Sequence, residues 1–228
     1  MSLPVAPEAP KAKPGLLDSQ FAPLAFIVLA NLVVFVLEIV TAPFSGTLNG
    51  DLVTHGGVDA PDVDDGDWWR IVTAGFLHSG VPHLVGNMVA LIILGGVLTL
   101  SIGAMRMCLL YAAGLLTSSL GVIVLAPNSL SVGASGAIFG LAGGALIVAW
   151  RQRRWLLFGF AALWILYTLS STLFVPGISQ AGHFGGLIGG AVMGFLLVGP
   201  EAKLREGRAA LAVAAAMLAG VFVLALLA

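Results

Sequence analysis

Two polar side chains that lie in long apolar segments, Ser135 and His183, are of the types that carry out acyl transfer. A serine hydroxyl is a weak nucleophile unless an imidazole within hydrogen-bond reach takes its proton. Both groups are costly in a water-poor membrane core unless they pair, line a cavity or react. Together they predict a nucleophile and its general base, provided that the fold brings them into contact.

A second pair, His83 and Asn87, could bind the negative charge that develops on a carbonyl oxygen during acyl transfer. Residues four positions apart share one face of a helix, and each donor aimed at an oxyanion contributes about 2.7–4 kcal/mol. The backbone N–H of Ser135 is a further donor, and Gly133 lets the preceding chain extend towards a substrate. Alternatively, His83 and Asn87 only hold the first loop against the second span.

The two segments that carry the serine and the imidazole each contain a row of glycines at four-residue spacing. The rows are Gly136, Gly140 and Gly144 in one segment and Gly182, Gly186, Gly190 and Gly194 in the other. Rows of small residues let transmembrane helices approach closely. Because Ser135 and His183 each lie beside the outermost glycine of a row, packing of the two rows would bring hydroxyl and imidazole together.

The composition places these segments in a membrane. Of the 228 residues, 59% are hydrophobic and only 9% are charged, whereas about 25% are charged in a soluble domain. This balance excludes a soluble enzyme, and the formal charge of −1 indicates no nucleic-acid partner. The single Cys108 cannot form an internal disulfide. The fold class predicted from this pattern is an all-α, polytopic membrane helical bundle.

Seven segments are apolar enough to span a membrane, for which roughly 20 residues are needed. They are 21–41, 83–101, 104–125, 134–150, 155–174, 181–198 and 209–228. Residues 1–20 lack the pattern of a signal peptide and are predicted to be a disordered cytoplasmic tail, and residues 201–228 a linker with the seventh span. In the long loop 42–82, the adjacent Trp68 and Trp69 indicate a segment at the membrane surface.

Basic residues predict the orientation of this bundle. In the seven-span topology, every lysine and arginine except Arg70 lies on one side of the membrane. The positive-inside rule places that side, with the amino terminus, in the cytoplasm. The long loop, the carboxyl terminus and the ends of the helices that carry Ser135 and His183 are then expected outside, so that the site lies towards the outer leaflet of the cell membrane.

Four motifs in this order closely resemble those of the rhomboid intramembrane serine proteases. They are Trp69-Arg70, His83-Leu-Val-Gly-Asn87, Gly133-Ala-Ser135-Gly136, and Ala181-Gly-His183-Phe-Gly-Gly186 with Gly190 after it. The resemblance covers about residues 21–198 with the family's spacing. It implies a rhomboid-like catalytic core of six transmembrane helices over residues 21–200, to which the seventh helix is added at the carboxyl end.

The resemblance also implies the chemistry. It makes Ser135 the nucleophile and His183 the general base and then acid, without a carboxylate as a third member and without a metal or other cofactor. His83 and Asn87 are implied to bind the oxyanion together with the backbone of Ser135. The implied substrate is a single-pass transmembrane protein, which enters laterally from the lipid bilayer and unwinds locally before a peptide bond is hydrolysed.

Three further residues take their roles from the resemblance. Trp69 and Arg70 are implied to belong to the first-loop structure in the outer leaflet. Phe139 stands where rhomboids often have a tyrosine that stacks on the catalytic imidazole. A ring is therefore expected to remain over the imidazole, without the tyrosine's hydroxyl.

Other functions fit parts of the same pattern. Since His83 and His183 are expected at similar depth, a haem-binding membrane protein with two histidine ligands is one alternative, and it predicts a Soret band. A catalytically inactive rhomboid-like binding module is another, although such relatives would be expected to lack the serine or the histidine. Ser135 taken alone could be structural, because serines in transmembrane helices often bond back to a carbonyl.

The remaining polar residues are predicted to have structural roles. The acidic residues of 59–67 depart from the EF-hand spacing and are expected to form a solvated surface rather than a calcium site. His78 is predicted to be a structural residue of the loop. Glu38 is unusual within the first span, and the sequence assigns it no role.

Overall fold

The computed structural model describes residues 20–41, 51–173 and 178–198. Almost all of the predicted tail, residues 42–50 of the first loop and the predicted seventh span lie outside the described residues. The helices are α1 (Ala22–Thr41), α2 (Asp51–Gly56), α3 (Ala60–Asp64), α4 (Arg70–Thr73), α5 (Val81–Ile102), α6 (Ala104–Leu125), α7 (Ser135–Arg151), α8 (Trp155–Thr172) and α9 (Gln180–Leu197), with a 3₁₀ turn at Ala74–Phe76.

The long helices confirm the predicted all-α membrane bundle. Five of them, α1, α5, α6, α8 and α9, are long and apolar enough to cross a membrane, and α7 is an apolar helix of 17 residues. Their ends lie within two residues of the ends predicted for the first six spans. The chain is therefore a multi-pass membrane protein.

Close packing of α6, α7 and α9 forms the centre of the bundle. A Cβ on Gly186 or Gly190 of α9 would overlap the backbone carbonyl of Gly136 or Gly140 of α7. On the opposite side, a Cβ on Gly114 of α6 would lie 2.6 Å from the Cα of Gly140. Only glycine permits backbones to approach so closely. The predicted packing of the two glycine rows is confirmed, and α6 is a third partner.

Two helices lie at the periphery of this centre. The buried residues of α1 follow one face, namely Leu24, Asn31, Phe35 and Glu38. In α8, only Ala161 and Ile165 are buried, and its other side chains form a largely apolar surface of the kind that a bilayer covers. The helices that position the polar residues near the serine are therefore α5, α7 and α9, with α1 supporting α5.

Arg70 organises the first loop. Its side chain is only 4% exposed and forms ion pairs with Asp62 at 2.8 Å and Asp67 at 3.0 Å. It also donates to the backbone carbonyls of Thr54 at 2.8 Å and Gly57 at 2.9 Å. A planar guanidinium can bind this many acceptors at once. Part of the acidic run therefore holds the loop together, a role beyond the solvated surface expected from the sequence.

The other residues singled out in the loop lie at its surface or at a helix end. Trp68 and Trp69 are 52% and 43% exposed, in agreement with a segment at the level of the lipid headgroups. Asp59 accepts a hydrogen bond from the backbone N–H of Asp62 at 3.0 Å and so caps α3. Capping by aspartate satisfies a backbone donor that the helix cannot.

The loop is attached to the chain that leads into α7. Val58 and Ser131 exchange two backbone hydrogen bonds, of 3.0 and 2.9 Å. The N–H of Gly133 then donates to the carbonyl of Ala74 at 2.8 Å. These contacts fix the direction in which the chain approaches Ser135.

Candidate active site

Ser135 and His183 lie at the same end of the bundle. Ser135 is the first residue of α7 and His183 lies in the first turn of α9. The Nε2 atom of His183 is 2.9 Å from the Oγ atom of Ser135. For the imidazole to accept the serine proton, Nε2 must carry the lone pair and Nδ1 the hydrogen. The geometry is that required of a serine and its general base.

The ring of Phe139 lies against the imidazole of His183. The two ring centroids are 4.4 Å apart and the planes are inclined by 22°, a stacked arrangement. Trp164 of α8 supports Phe139 from behind, with 5.3 Å between ring centroids. The Nδ1 atom of His183 is buried and has no hydrogen-bond partner among the described residues. Within the described part of the chain, aromatic stacking and the bond to Ser135 therefore orient the imidazole.

Gly133 makes space for polar side chains beside the serine. Its φ of 126° lies in the left-handed region, which residues with a side chain rarely adopt. A Cβ here would lie 2.7 Å from Cε1 and 2.8 Å from Nε2 of His83, and 3.6 Å from Nδ2 of Asn87. The structure thus brings His83 and Asn87 to the chain two residues before Ser135. Because the N–H of Gly133 is already bonded to Ala74, Gly133 contributes space and not a donor.

Asn87 and Ser135 present donors that are not used elsewhere in the described structure. Asn87 is 7% exposed, and its Nδ2 atom has no hydrogen-bond partner among the described residues. Ser135 is at the N-terminus of α7, where the first backbone N–H groups have no partner within the helix. The positive end of the helix dipole adds to the attraction for a negative charge. An anionic oxygen beside Ser135 would therefore meet several donors.

Sequence reasoning missed a group of polar contacts behind His83. His78 is fully buried, and its ring centroid lies 5.2 Å from that of His83. Burial, together with nearby His83, lowers the pKa of His78 to about 4. Its backbone N–H donates to Glu38 Oε1 at 2.9 Å, and the next residue, Ser79, places its Oγ 3.0 Å from Nδ1 of His83. The one signal in the sequence was the acidic Glu38 within an apolar span.

The remaining predicted residues support the site from a distance. Arg70 makes its bonds within the first loop, and Trp69 donates from its indole nitrogen to the carbonyl of His55 at 3.4 Å. Gly186 and Gly190 allow α9 to contact α7, which is what brings His183 to Ser135.

Comparisons with known proteins agree with this architecture. The Rhomboid domain family model matches residues 65–200. Rhomboid protease GluP of Bacillus subtilis (strain 168) is 37% identical over 169 residues, which are 72% of this chain and 32% of that protein. RHOMBOID-like protein 4 of Arabidopsis thaliana is 36% identical over 162 residues, 68% of this chain and 41% of that protein.

A third relative extends the comparison. RHOMBOID-like protein 6, mitochondrial, of Arabidopsis thaliana is 33% identical over 172 residues, 73% of this chain and 56% of that protein. The chain thus spans from about a third to just over half the length of these curated relatives. The family match covers more than half of the chain, including the helices that hold Ser135, His183 and the glycine rows together. The chain belongs to the rhomboid family of intramembrane proteases.

Proposed function

We propose that the protein is an intramembrane serine endopeptidase, which hydrolyses peptide bonds in or near the transmembrane segments of other membrane proteins. The observation that carries this proposal is the 2.9 Å distance between Nε2 of His183 and Oγ of Ser135. Membership of a family that includes a rhomboid protease supports it. A part-buried serine–imidazole pair is costly in a membrane unless it has a function.

In the proposed mechanism, Nε2 of His183 takes the hydroxyl proton of Ser135 while Oγ attacks the carbonyl carbon of the scissile bond. His83, Asn87 and the backbone N–H of Ser135 bind the resulting oxyanion. His183 then gives the proton to the leaving amine, and an acyl-enzyme remains. A water molecule, deprotonated by His183, then attacks the acyl carbon. The ester bond to Oγ breaks, His183 returns the proton to Oγ, and the second product leaves with its new carboxyl group.

The substrate in this proposal is a single-pass transmembrane protein that reaches the site from the lipid. A peptide bond inside a helix is shielded by its own turn, so the substrate must unwind before Ser135 can attack. Among the long helices of the described bundle, α8 buries the fewest residues, Ala161 and Ile165. Its displacement would therefore cost the least buried surface and would open a path from the bilayer.

Two alternative functions have less support. Ligation of haem iron by His83 and His183 would compete for the same Nε2 atom that contacts Ser135. An inactive binding module would have no need to keep both Ser135 and His183 within hydrogen-bond distance. The proposed protease uses the serine, the imidazole and the neighbouring donors together.

Replacement of the nucleophile tests the function. Purified protein in detergent is incubated with a panel of single-span substrates, and products are mapped by mass spectrometry. Ser135→Ala is expected to abolish cleavage and to leave expression and folding intact, because only the reacting oxygen and its one hydrogen bond to His183 are removed. Ser129→Ala, at an exposed position in the α6–α7 connection, is the matched control and should cleave normally. Cleavage by Ser135→Ala at the wild-type rate would exclude the proposal.

A further inference from the structure

The position of one hydrogen atom decides whether His83 can stabilise an oxyanion. A neutral imidazole carries its hydrogen on either Nδ1 or Nε2, and only the protonated nitrogen can donate. The Cε1–Nε2 edge of His83 faces Gly133, since a Cβ on that glycine would lie 2.7 and 2.8 Å from these two atoms. Nε2 is thus the nitrogen nearer the chain that leads to Ser135, and it must carry the hydrogen to bind an oxyanion there.

The other nitrogen of the same ring has a partner in the loop before α5. The Oγ atom of Ser79 lies 3.0 Å from Nδ1 of His83. A hydroxyl can act as donor or acceptor. If Ser79 donates, Nδ1 keeps its lone pair and the hydrogen of the neutral ring resides on Nε2. If Ser79 accepts, Nε2 has no hydrogen and His83 cannot bind an oxyanion.

We propose that Ser79 is a positioning residue that donates its hydroxyl hydrogen to Nδ1 of His83, and thereby holds His83 as the tautomer with its hydrogen on Nε2. The proposal rests on the proposed function, because only oxyanion binding requires a donor at Nε2. Ser79 does not touch the substrate and acts entirely through His83. Partners on the second nitrogen of a histidine set its tautomer in the same way in metal sites and in catalytic triads.

Glu38 holds the backbone from which the Ser79 hydroxyl projects. Its Oε1 accepts from the N–H of His78 at 2.9 Å, and the two residues are 3% and 0% exposed. Phe35, one turn earlier on α1, contacts the ring of His78 edge-on with 6.4 Å between centroids. Ser79 is exposed, and without an anchored neighbour its hydroxyl could turn to water. The hydrogen bond from the His78 N–H to Glu38 gives a role to the acidic residue of the first span.

Nuclear magnetic resonance reads the tautomer directly and needs no activity. The chain contains four histidines, so selective ¹⁵N-histidine labelling gives few signals, and His83→Gln assigns the one of interest. At pH 7.5, His83 is expected to be neutral, with hydrogen on Nε2 and Nδ1 as a hydrogen-bonded acceptor. Hydrogen on Nδ1, or on both nitrogens, would overturn the proposal. The tautomer is measured without cleavage. This test can therefore fail while the proposed function, which Ser135→Ala tests, still holds.

Kinetics test the consequence for catalysis. Ser79→Ala is expected to lower kcat about tenfold with KM unchanged, the size of effect that loss of one hydrogen bond gives, and Ser79→Thr should restore kcat because it keeps a hydroxyl. Ser129→Ala is again the control. Rates are expressed per serine labelled by a fluorophosphonate, so a smaller folded fraction does not lower them. Wild-type kcat in Ser79→Ala would overturn the proposal.

A double variant tests the link through α1. Glu38→Gln keeps a carbonyl acceptor for the His78 N–H and should retain the wild-type kcat. Glu38→Leu removes the acceptor at similar size and should lower kcat per labelled site by no more than Ser79→Ala does. Because the two residues act in series, the Glu38→Leu/Ser79→Ala variant should be no slower than Ser79→Ala alone. The role of Glu38 would be overturned if the two losses in kcat multiplied in the double variant. It would also be overturned if Glu38→Leu had fewer labelled sites and an unchanged kcat.

Discussion

The amide of Asn87 gives the sharpest prediction at the scale of single residues. Its Nδ2 atom is buried beside Gly133 and has no hydrogen-bond partner among the described residues. If it binds the oxyanion, Asn87→Ala should lower kcat by about 10²–10³ with little change in KM. Thermal stability should stay the same, because Nδ2 has no bond to lose within the described structure. Measurement of kcat, KM and Tm separates this from a structural Asn87, whose loss would lower Tm and leave kcat unchanged.

A neutral, buried His78 predicts how stability depends on pH. Its pKa is lowered from 6.5 to about 4 by burial and by nearby His83. Between these values the unfolded chain binds the proton and the folded chain does not. The contribution of His78 to the free energy of unfolding is therefore complete above pH 6.5, falls by about 1.4 kcal/mol per pH unit on acidification, and stops falling below about pH 4.

Comparison with a variant that does not titrate isolates this contribution. The difference in free energy of unfolding between wild type and His78→Gln, measured in detergent at pH 7.5 and pH 4.5, should shift in favour of the variant at the lower pH. Titrating groups that do not interact with His78 are common to both proteins and cancel in the difference. A difference that is the same at both pH values would contradict a neutral, buried His78.

At the scale of single residues, the sequence predicted the polar side chains whose position in an apolar helix costs free energy. Ser135 and His183 were found because a hydroxyl and an imidazole in apolar helices need a reason to be there. The contacts of Ser79 and His78 could not be found in this way, because the two residues lie in a loop, where a polar side chain is not unusual. The bond from Glu38 to the His78 amide also joins residues 40 positions apart, and no local pattern records such a pairing.

At the scale of helices, the contact between α7 and α9 can be broken by one methyl group. A Cβ on Gly190 would overlap the carbonyl oxygen of Gly140, so Gly190→Ala should push the helices apart and move His183 away from Ser135. Overpacking costs about 1–3 kcal/mol, and fluorophosphonate labelling of Ser135 should fall with Tm. Gly96→Ala on α5, where nothing lies within 4 Å of the added Cβ, is the matched control. Equal Tm values for the two variants would contradict the packing.

The long helices were predictable and the first loop was not, for one physical reason. A membrane requires apolar runs of defined length, and these runs give the bounds of α1 and α5 to α9 almost to the residue. The short helices α2, α3 and α4 have no such requirement. They are held by the polar network of Arg70 with Asp62 and Asp67, which depends on side-chain directions in three dimensions.

At the scale of the whole molecule, α7 is shorter than the hydrocarbon core of a membrane is thick. A helix of 17 residues is about 25 Å long, less than the roughly 30 Å of the hydrocarbon core. Because α7 begins at Ser135, we expect the serine to lie below the surface of the hydrocarbon core. The chain before the serine is bonded to the first loop through Ser131 and Gly133, so the loop holds the start of α7 in place.

The distribution of basic residues makes the orientation of the molecule a testable consequence. A cytoplasmic amino terminus places Asp64, in the first loop, outside the cell and Arg153, between α7 and α8, inside; both are exposed. In a Cys108→Ala background, a membrane-impermeant maleimide should label Asp64→Cys in intact cells. Arg153→Cys should react only after permeabilisation, and the cysteine-free parent should not react at all. The opposite pattern would place the Ser135 end of the bundle in the cytoplasmic leaflet, where the substrates and the water for hydrolysis would have to come from the other side.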